Sequence, residues 1–209
     1  MLFRSSTSRL GFIKLTANIT NLDGESLPGA VFLRGASVGM MVVLQPDDLL
    51  PESAEEKFVL LTVQPRIAAG GLQFVELPAG MVDRGSFKGA AAKEIQEELG
   101  LEISESELIN LTELAIPEKK REGEEGLPRA LFPSAGGCDE YVPIFLHVKR
   151  VKREQLKEWT GKLTGLRDQG EKITLKLVRL EDLWWEGARD AKALGAWALW
   201  EGLKRSGKL

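Results

Sequence analysis

The chain carries one cysteine, one histidine and no long uncharged apolar run among its 209 residues. With only Cys138 present, an internal disulfide is excluded, which suits a reducing compartment. The same cysteine has no neighbouring histidine for a nucleophile arrangement and reads as a small packed residue. His147 lies beside Phe145 in an apolar stretch and reads as structural, so a histidine-based mechanism has little support. No window approaches the roughly 18 consecutive apolar residues of a membrane helix, which predicts a soluble chain with no membrane partner. Neither charge sign dominates. With 28 basic and 31 acidic residues the net charge is −3, and nucleic acid is not expected as a partner. Repeats and low-complexity tracts are also absent.

What is present is enough for one sizeable domain, since domains typically run roughly 100–200 residues. Apolar runs bounded by turn residues predict strands at about 10–19, 37–45, 58–65 and 73–77, with further strands near 108–116, 141–149 and 171–180. Helical spacing predicts a helix from Phe87 to Gly100, a short one in "REQLKEW", and a closing helix in "DAKALGAWALWEGLKRSGKL". In that last segment Trp197 and Trp200 fall on one helix face and read as core or as part of a dimer interface. The mixture predicts a layered α/β or α+β domain. The basic, Ser-rich first eight residues read at most as the remnant of a leader without a secretory core. The N-x-T triplets at Asn18 and Asn110 carry no weight without one.

The stretch "KGAAAKEIQEELGLEI", residues 88–103, raises the functional question. On a helix, Glu94, Glu97 and Glu98 share a face while Ile95 and Leu99 turn toward the core. A solvated acidic face explains this, because like charges at such spacing repel by only a few tenths of a kcal/mol. Alternatively, stacked carboxylates form a site for a hard divalent cation that keeps waters for a phosphate-bearing substrate.

The flanks favour the second reading. "ELPAGMVDRGSFKGAAAKEIQEELGL", residues 76–101, resembles the signature of the Nudix hydrolases, G-x5-E-x7-R-E-U-x-E-E-x-G-U with U apolar. Gly80 supplies the first glycine, Lys93-Glu94-Ile95 the R-E-U, Glu97-Glu98 the E-E, and Gly100-Leu101 the close. There are two departures: Ser86 stands where the first Glu is expected, in a segment one residue short, and Lys93 replaces Arg. Beyond the box, "QPR" at 64–66, "VELPAGMVD" at 75–83, "FPSAGGCDE" at 132–140 and "TGLRDQGEKITLKLV" at 164–178 resemble the ADP-sugar diphosphatase branch of that family, the plant-type enzymes especially.

That resemblance implies an α/β/α sandwich with a mixed central sheet in residues 36–209. Residues 1–35 would form an N-terminal strand region that makes much of a homodimer contact. It implies Mg²⁺, with Mn²⁺ as the alternative, held by Glu94, Glu97, Glu98 and the backbone carbonyl of Ala79, with Lys93 orienting the glutamates. The general base would be Glu171, with Asp168 as the fallback; a polar turn ahead of a strand is the plain alternative for both. Arg66 or Arg129 would pair with the diphosphate unless they are surface ion pairs. Glu76 would contact substrate or hold its turn. Gly136 and Gly137 would admit phosphate to the backbone, with Asp139 and Glu140 near sugar hydroxyls or metal, unless this is only a Gly-rich turn into a strand. The activity implied is hydrolysis of ADP-ribose or ADP-glucose to AMP and a sugar phosphate, in the cytoplasm or a plastid. Two rivals stand beside it: a nucleotide-binding module without turnover, suggested by the altered box, and a Nudix enzyme for another nucleoside diphosphate derivative.

Overall fold

The computed structural model describes residues 2–4, 10–51, 53, 55–82, 86–117, 125–166, 168 and 171–209, so most of the possible leader, residues 118–124 of the long charged segment, 83–85, 167 and 169–170 lie outside the described residues. The chain begins with β1 (Leu2–Arg4), β2 (Leu10–Thr16), a small hairpin of β3 (Ile19–Thr20) and β4 (Ser26–Leu27), and β5 (Ala30–Leu33). Strands β1, β2 and β5 make a separate three-stranded sheet. Its inner side stacks Phe12 on Phe32 at 5.6 Å between ring centroids.

The main sheet starts with β6 (Ser37–Pro46), all ten of whose residues are buried. "VGMMVVL" is uninterrupted rather than alternating because both faces of this strand are covered. It continues with β7 (Phe58–Arg66), β8 (Gly71–Glu76), β9 (Ala79–Met81), β10 (Ile109–Asn110), β11 (Ile144–Val151), β12 (Leu163–Thr164) and β13 (Ile173–Arg179). The order is β10-β11-β6-β7-β13-β12, with β8 on β7 and β9 on β6. Only the β11–β6 pair is parallel among these, so the sheet is mixed.

Strands β6 and β7 pair at Val43↔Val59 and Leu44↔Phe58 and then diverge. Beyond that point β6 takes β9 and β7 takes β8, so the Leu77-Pro78 link crosses the opening between them. This divergence places "ELPAG" at the mouth of a cavity.

Helices cover both faces. On one, α1 (Phe87–Glu94) and the π turn that follows it pack Ala91, Ile95 and Leu99 against Val38, Met40, Val42 and Leu60. On the other, α4 (Leu183–Glu186) and α5 (Ala191–Arg205) pack Leu183, Ala196, Trp200 and Leu203 against Met41, Val43, Val59 and Leu61. The result is the expected α/β/α layering. Trp200 belongs to that core and Trp197 packs at its margin.

Two local expectations need correction. The strand expected at 108–116 is confined to Ile109–Asn110, because Asn110 accepts the Glu113 N–H at 3.1 Å and caps a helix, α2 (Leu111–Ala115). The helix expected from Phe87 to Gly100 is α-helical only to Glu94. Residues Ile95–Leu99 widen into a π turn that Gly100 closes at φ 69°, donating its N–H to Gln96 O. The "REQLKEW" helix is present as a 3₁₀ turn running into α3 (Leu156–Trp159).

Candidate active site

A cavity of about 580 Å³ opens where the ELPAG link, the helix α1 region, the approach to β13 and the start of α5 meet the N-terminal sheet. One wall is acidic. Ser86 starts α1 by accepting the Gly89 N–H at 2.9 Å, and Ile95 and Leu99 anchor the far end in the core. Between these anchors Glu94 and Glu98 line the cavity, joined by Glu171 from the segment before β13. Gly80 lies so close to Glu94 that a Cβ there would overlap the carboxyl group, which explains the glycine sterically. Glu171 Oε2 accepts the Leu166 N–H at 2.9 Å, which orients the carboxylate.

Glu98 is the sharpest feature. It is 2 % exposed, and its Oε2 has no hydrogen-bond partner among the described residues. Burial holds its carboxyl well above the usual range, reinforced by Glu94, Glu171 and Glu76 and opposed by Arg66. A buried, repelled oxygen without a donor is an arrangement that a cation relieves.

The opposite wall is an ion-pair network. Arg66 Nε donates to Glu76 Oε1 at 2.7 Å, and Lys192 Nζ stands 3.3 Å from Glu76 Oε2 and 2.9 Å from Asp190 Oδ1. Asp190 also accepts the Leu77 N–H at 2.8 Å and the Lys192 N–H at 3.1 Å, so one carboxylate caps α5 and fixes the ELPAG link.

Of the residues singled out by sequence, the cavity brings together Arg66, Glu76, Ala79, Glu94, Glu98, Glu140 and Glu171. Glu140 accepts the Ser37 hydroxyl at 2.6 Å and pairs with Arg34 at 3.4 Å. Others stand elsewhere. Glu97 pairs with Lys93 at 3.4 Å and is outside the cavity lining. Asp168 is exposed. Arg129 lies in a different groove, 3.9 Å from Glu113. Gly136 and Gly137 belong to a turn whose Gly137 carbonyl accepts the Phe32 N–H at 2.8 Å, and Asp139 accepts the Arg34 N–H at 2.7 Å. This loop therefore ties the N-terminal sheet to the main domain.

Sequence reasoning missed Asp190, Lys192, Arg34 and Ser37. Asp190 ahead of "AKAL" is a legible helix cap, but nothing local says that its other oxygen reaches residue 77. Lys192 and Arg34 have no sequence signal of their own.

Among the described residues no three His, Cys, Asp or Glu side chains stand ready-made as a metal cluster. The donors still fit a hard divalent cation. The orphaned Glu98 oxygen, the adjacent Glu94 carboxylate cradled by Gly80, and Ala79 on the same wall are oxygen donors of the kind that Mg²⁺ takes in small number, completing its shell with water and phosphate.

Residues 36–198 match the family model described as the NUDIX domain. The chain is also 36% identical over 202 residues to "Nudix hydrolase 14, chloroplastic" of Arabidopsis thaliana, a match covering 95% of this chain and 60% of the relative. The chain thus spans about 60% of that relative's length.

Proposed function

The chain belongs to the NUDIX family, and from that premise we propose that it hydrolyses the diphosphate of an ADP-sugar, ADP-ribose or ADP-glucose, to AMP and a sugar phosphate. The observation that carries this reading is the buried Glu98 oxygen, without a partner among the described residues, in one cavity with Arg66 and Lys192, a polarity matched to a bound cation on one side and phosphate on the other. The ADP-sugar branch rests on the resemblance of the ELPAG and GGCDE segments, of which Glu76, Ala79, Gly80 and Glu140 line that cavity.

Glu94 and Glu98, with the Ala79 carbonyl, would hold Mg²⁺ or Mn²⁺; Glu97, paired with Lys93, would steady the set from outside. When bound, such an ion neutralises and polarises phosphoryl oxygens. Glu171 takes the proton of the attacking water, and its bond from Leu166 N–H aims it. Asp168, exposed and off the cavity lining, is the weaker choice. Arg66, held by Glu76, grips the diphosphate through its remaining guanidinium N–H groups. Water adds at one phosphorus and the P–O bond of the diphosphate breaks, leaving two monophosphates.

Phe12, Phe32 and Arg34 of residues 1–35 line the same cavity, which supports the N-terminal strand region as part of the working unit; its role as the contact of a homodimer rests on the resemblance alone. The relative's printed name is chloroplastic, and a plastid is the compartment we favour for this chain.

The test is AMP release with Mg²⁺ or Mn²⁺ from ADP-ribose and ADP-glucose, against a dinucleoside polyphosphate and a capped RNA, for the parent and for Glu98→Gln. Release from an ADP-sugar by the parent, lost in the variant, supports the reading. Preference for another substrate overturns the branch. A binding module without turnover has one observation in its favour: Ser86 is engaged as a helix cap where the family signature places an acid. Binding of ADP-ribose with no product from any substrate would establish that alternative.

A further inference from the structure

The cavity wall opposite the glutamates has an asymmetry that ion pairing alone does not require. In the quartet Arg66–Glu76–Lys192–Asp190, all lining the cavity, the acids are the buried members and the cations the more exposed: the side chains of Glu76 and Asp190 are 4% and 5% exposed, those of Lys192 and Arg66 are 17% and 43%. Two buried carboxylates thus hold two cations at the surface of the cavity, facing Glu94, Glu98 and Glu171. We infer that Lys192 is a substrate-binding residue that takes a non-bridging phosphoryl oxygen of the diphosphate, and that Asp190 is its positioning residue. The inference rests on the diphosphate reading of the cavity given above.

The chemistry is direct. An ammonium has three donors, and Glu76 Oε2 and Asp190 Oδ1 occupy two directions of Lys192 Nζ. Among the described residues no acceptor takes the third, which leaves it to one in the cavity. Asp190 is itself immobilised by the N–H groups of Leu77 and Lys192, so the flexible lysine stem is held at both its backbone and its tip before substrate arrives. Lys192 is also placed by α5, the last helix, whereas Arg66 comes from β7. Two cations on independent elements would grip the two phosphates separately and fix the diphosphate's orientation against the acidic wall.

The experiment compares the parent with Lys192→Met, which keeps the length of the side chain and removes its charge, and with Asp190→Asn. Binding of inorganic pyrophosphate and of ADP-ribose is measured by calorimetry in EDTA, so that no metal bridges phosphate and the glutamates, with adenosine as the phosphate-free control. Lys192→Met is expected to weaken both phosphate ligands by about tenfold or more, to leave adenosine unchanged, and to raise KM more than it lowers kcat if the chain turns ADP-sugars over. Asp190→Asn is expected to have a smaller effect of the same kind. A measurement on the unmutated chain covers the case in which the variant misfolds: saturating pyrophosphate should protect the Lys192 amine from acylation, read by peptide mass spectrometry. Unchanged phosphate affinity in a folded Lys192→Met, no protection in the parent, or no metal-free pyrophosphate binding by the parent would each overturn the inference. A parent that cleaves no ADP-sugar but whose pyrophosphate binding depends on Lys192 would instead sink the activity and leave this site standing.

Discussion

Asp190 and Leu77, 113 residues apart, are joined by a 2.8 Å hydrogen bond from the Leu77 N–H to the buried Asp190 carboxylate. The same carboxylate caps α5 and pairs with Lys192. Asp190→Ala removes a cap, leaves the buried Leu77 N–H without its acceptor and takes one of two carboxylate partners from the Lys192 ammonium, so a loss of about 2–4 kcal/mol is expected. Urea unfolding reads it, and a loss below about 0.5 kcal/mol would mean that the cap and the Leu77 bond carry little of the fold.

Gly80→Ala tests the close approach of the turn to Glu94. The new methyl group overlaps the end of a flexible side chain rather than backbone, so the carboxylate moves aside. The proposed hydrolysis should fall at least tenfold while the thermal midpoint shifts by only a few degrees. Wild-type turnover in this variant would remove Glu94 from the set of metal ligands.

Glu98→Gln separates stability from function. The carboxylate is buried beside Glu94, Glu171 and Glu76 with an oxygen that nothing satisfies among the described residues, and a neutral amide removes the repulsion. In metal-free buffer the variant is expected to melt higher than the parent. On adding Mg²⁺ the parent should gain stability and the variant should not, since only a chain that binds the ion is stabilised by it. An equal Mg²⁺ shift in both would place the ion elsewhere.

Ser86 stands in the acid's place in the box, yet it has a task. It accepts the Gly89 N–H and donates to Glu105 Oε2 at 3.2 Å. Ser86→Ala should cost about 1 kcal/mol in chemical unfolding while the Mg²⁺ shift survives. Loss of that shift would give Ser86 a part in ion binding.

His147 lies buried in β11, and burial lowers its pKa from 6.5, with Lys149 acting in the same direction and Glu107 against it. The unfolded chain therefore takes the proton first. The stabilisation is present in full above the unfolded value and is lost as pH falls through it toward the depressed folded value. The melting temperature followed from pH 7.5 to 5 should decline more steeply in the parent than in His147→Gln. Identical slopes would show that other groups set the acid limit.

Much of the fold is legible because its signals are local. "SVGMMVVLQP" reads as a strand from its continuous apolar run, and the Ala-rich run before Gly100 reads as a helix with a stop. "LINLTELAI" misleads, since its apolar residues suit either period and Asn110 decides the matter by capping. The π turn at Ile95–Leu99 is equally invisible, as its residues are ordinary helix formers.

The candidate site divides in the same way. By itself the sequence determined that Glu94 and Glu98 share a face, because they are one turn apart on a segment whose glycine turn and apolar anchors are contiguous with them; it grouped Glu97 with them, which the structure pairs with Lys93 outside the cavity lining. Only the tertiary structure decided what faces that wall. Arg34, Lys192 and Asp190 come from the two ends of the chain, and Arg129, equally plausible as a cation, is carried to another groove. A charge's neighbours across a cavity are set by how strands diverge and helices dock, and no periodicity in the sequence encodes that distance.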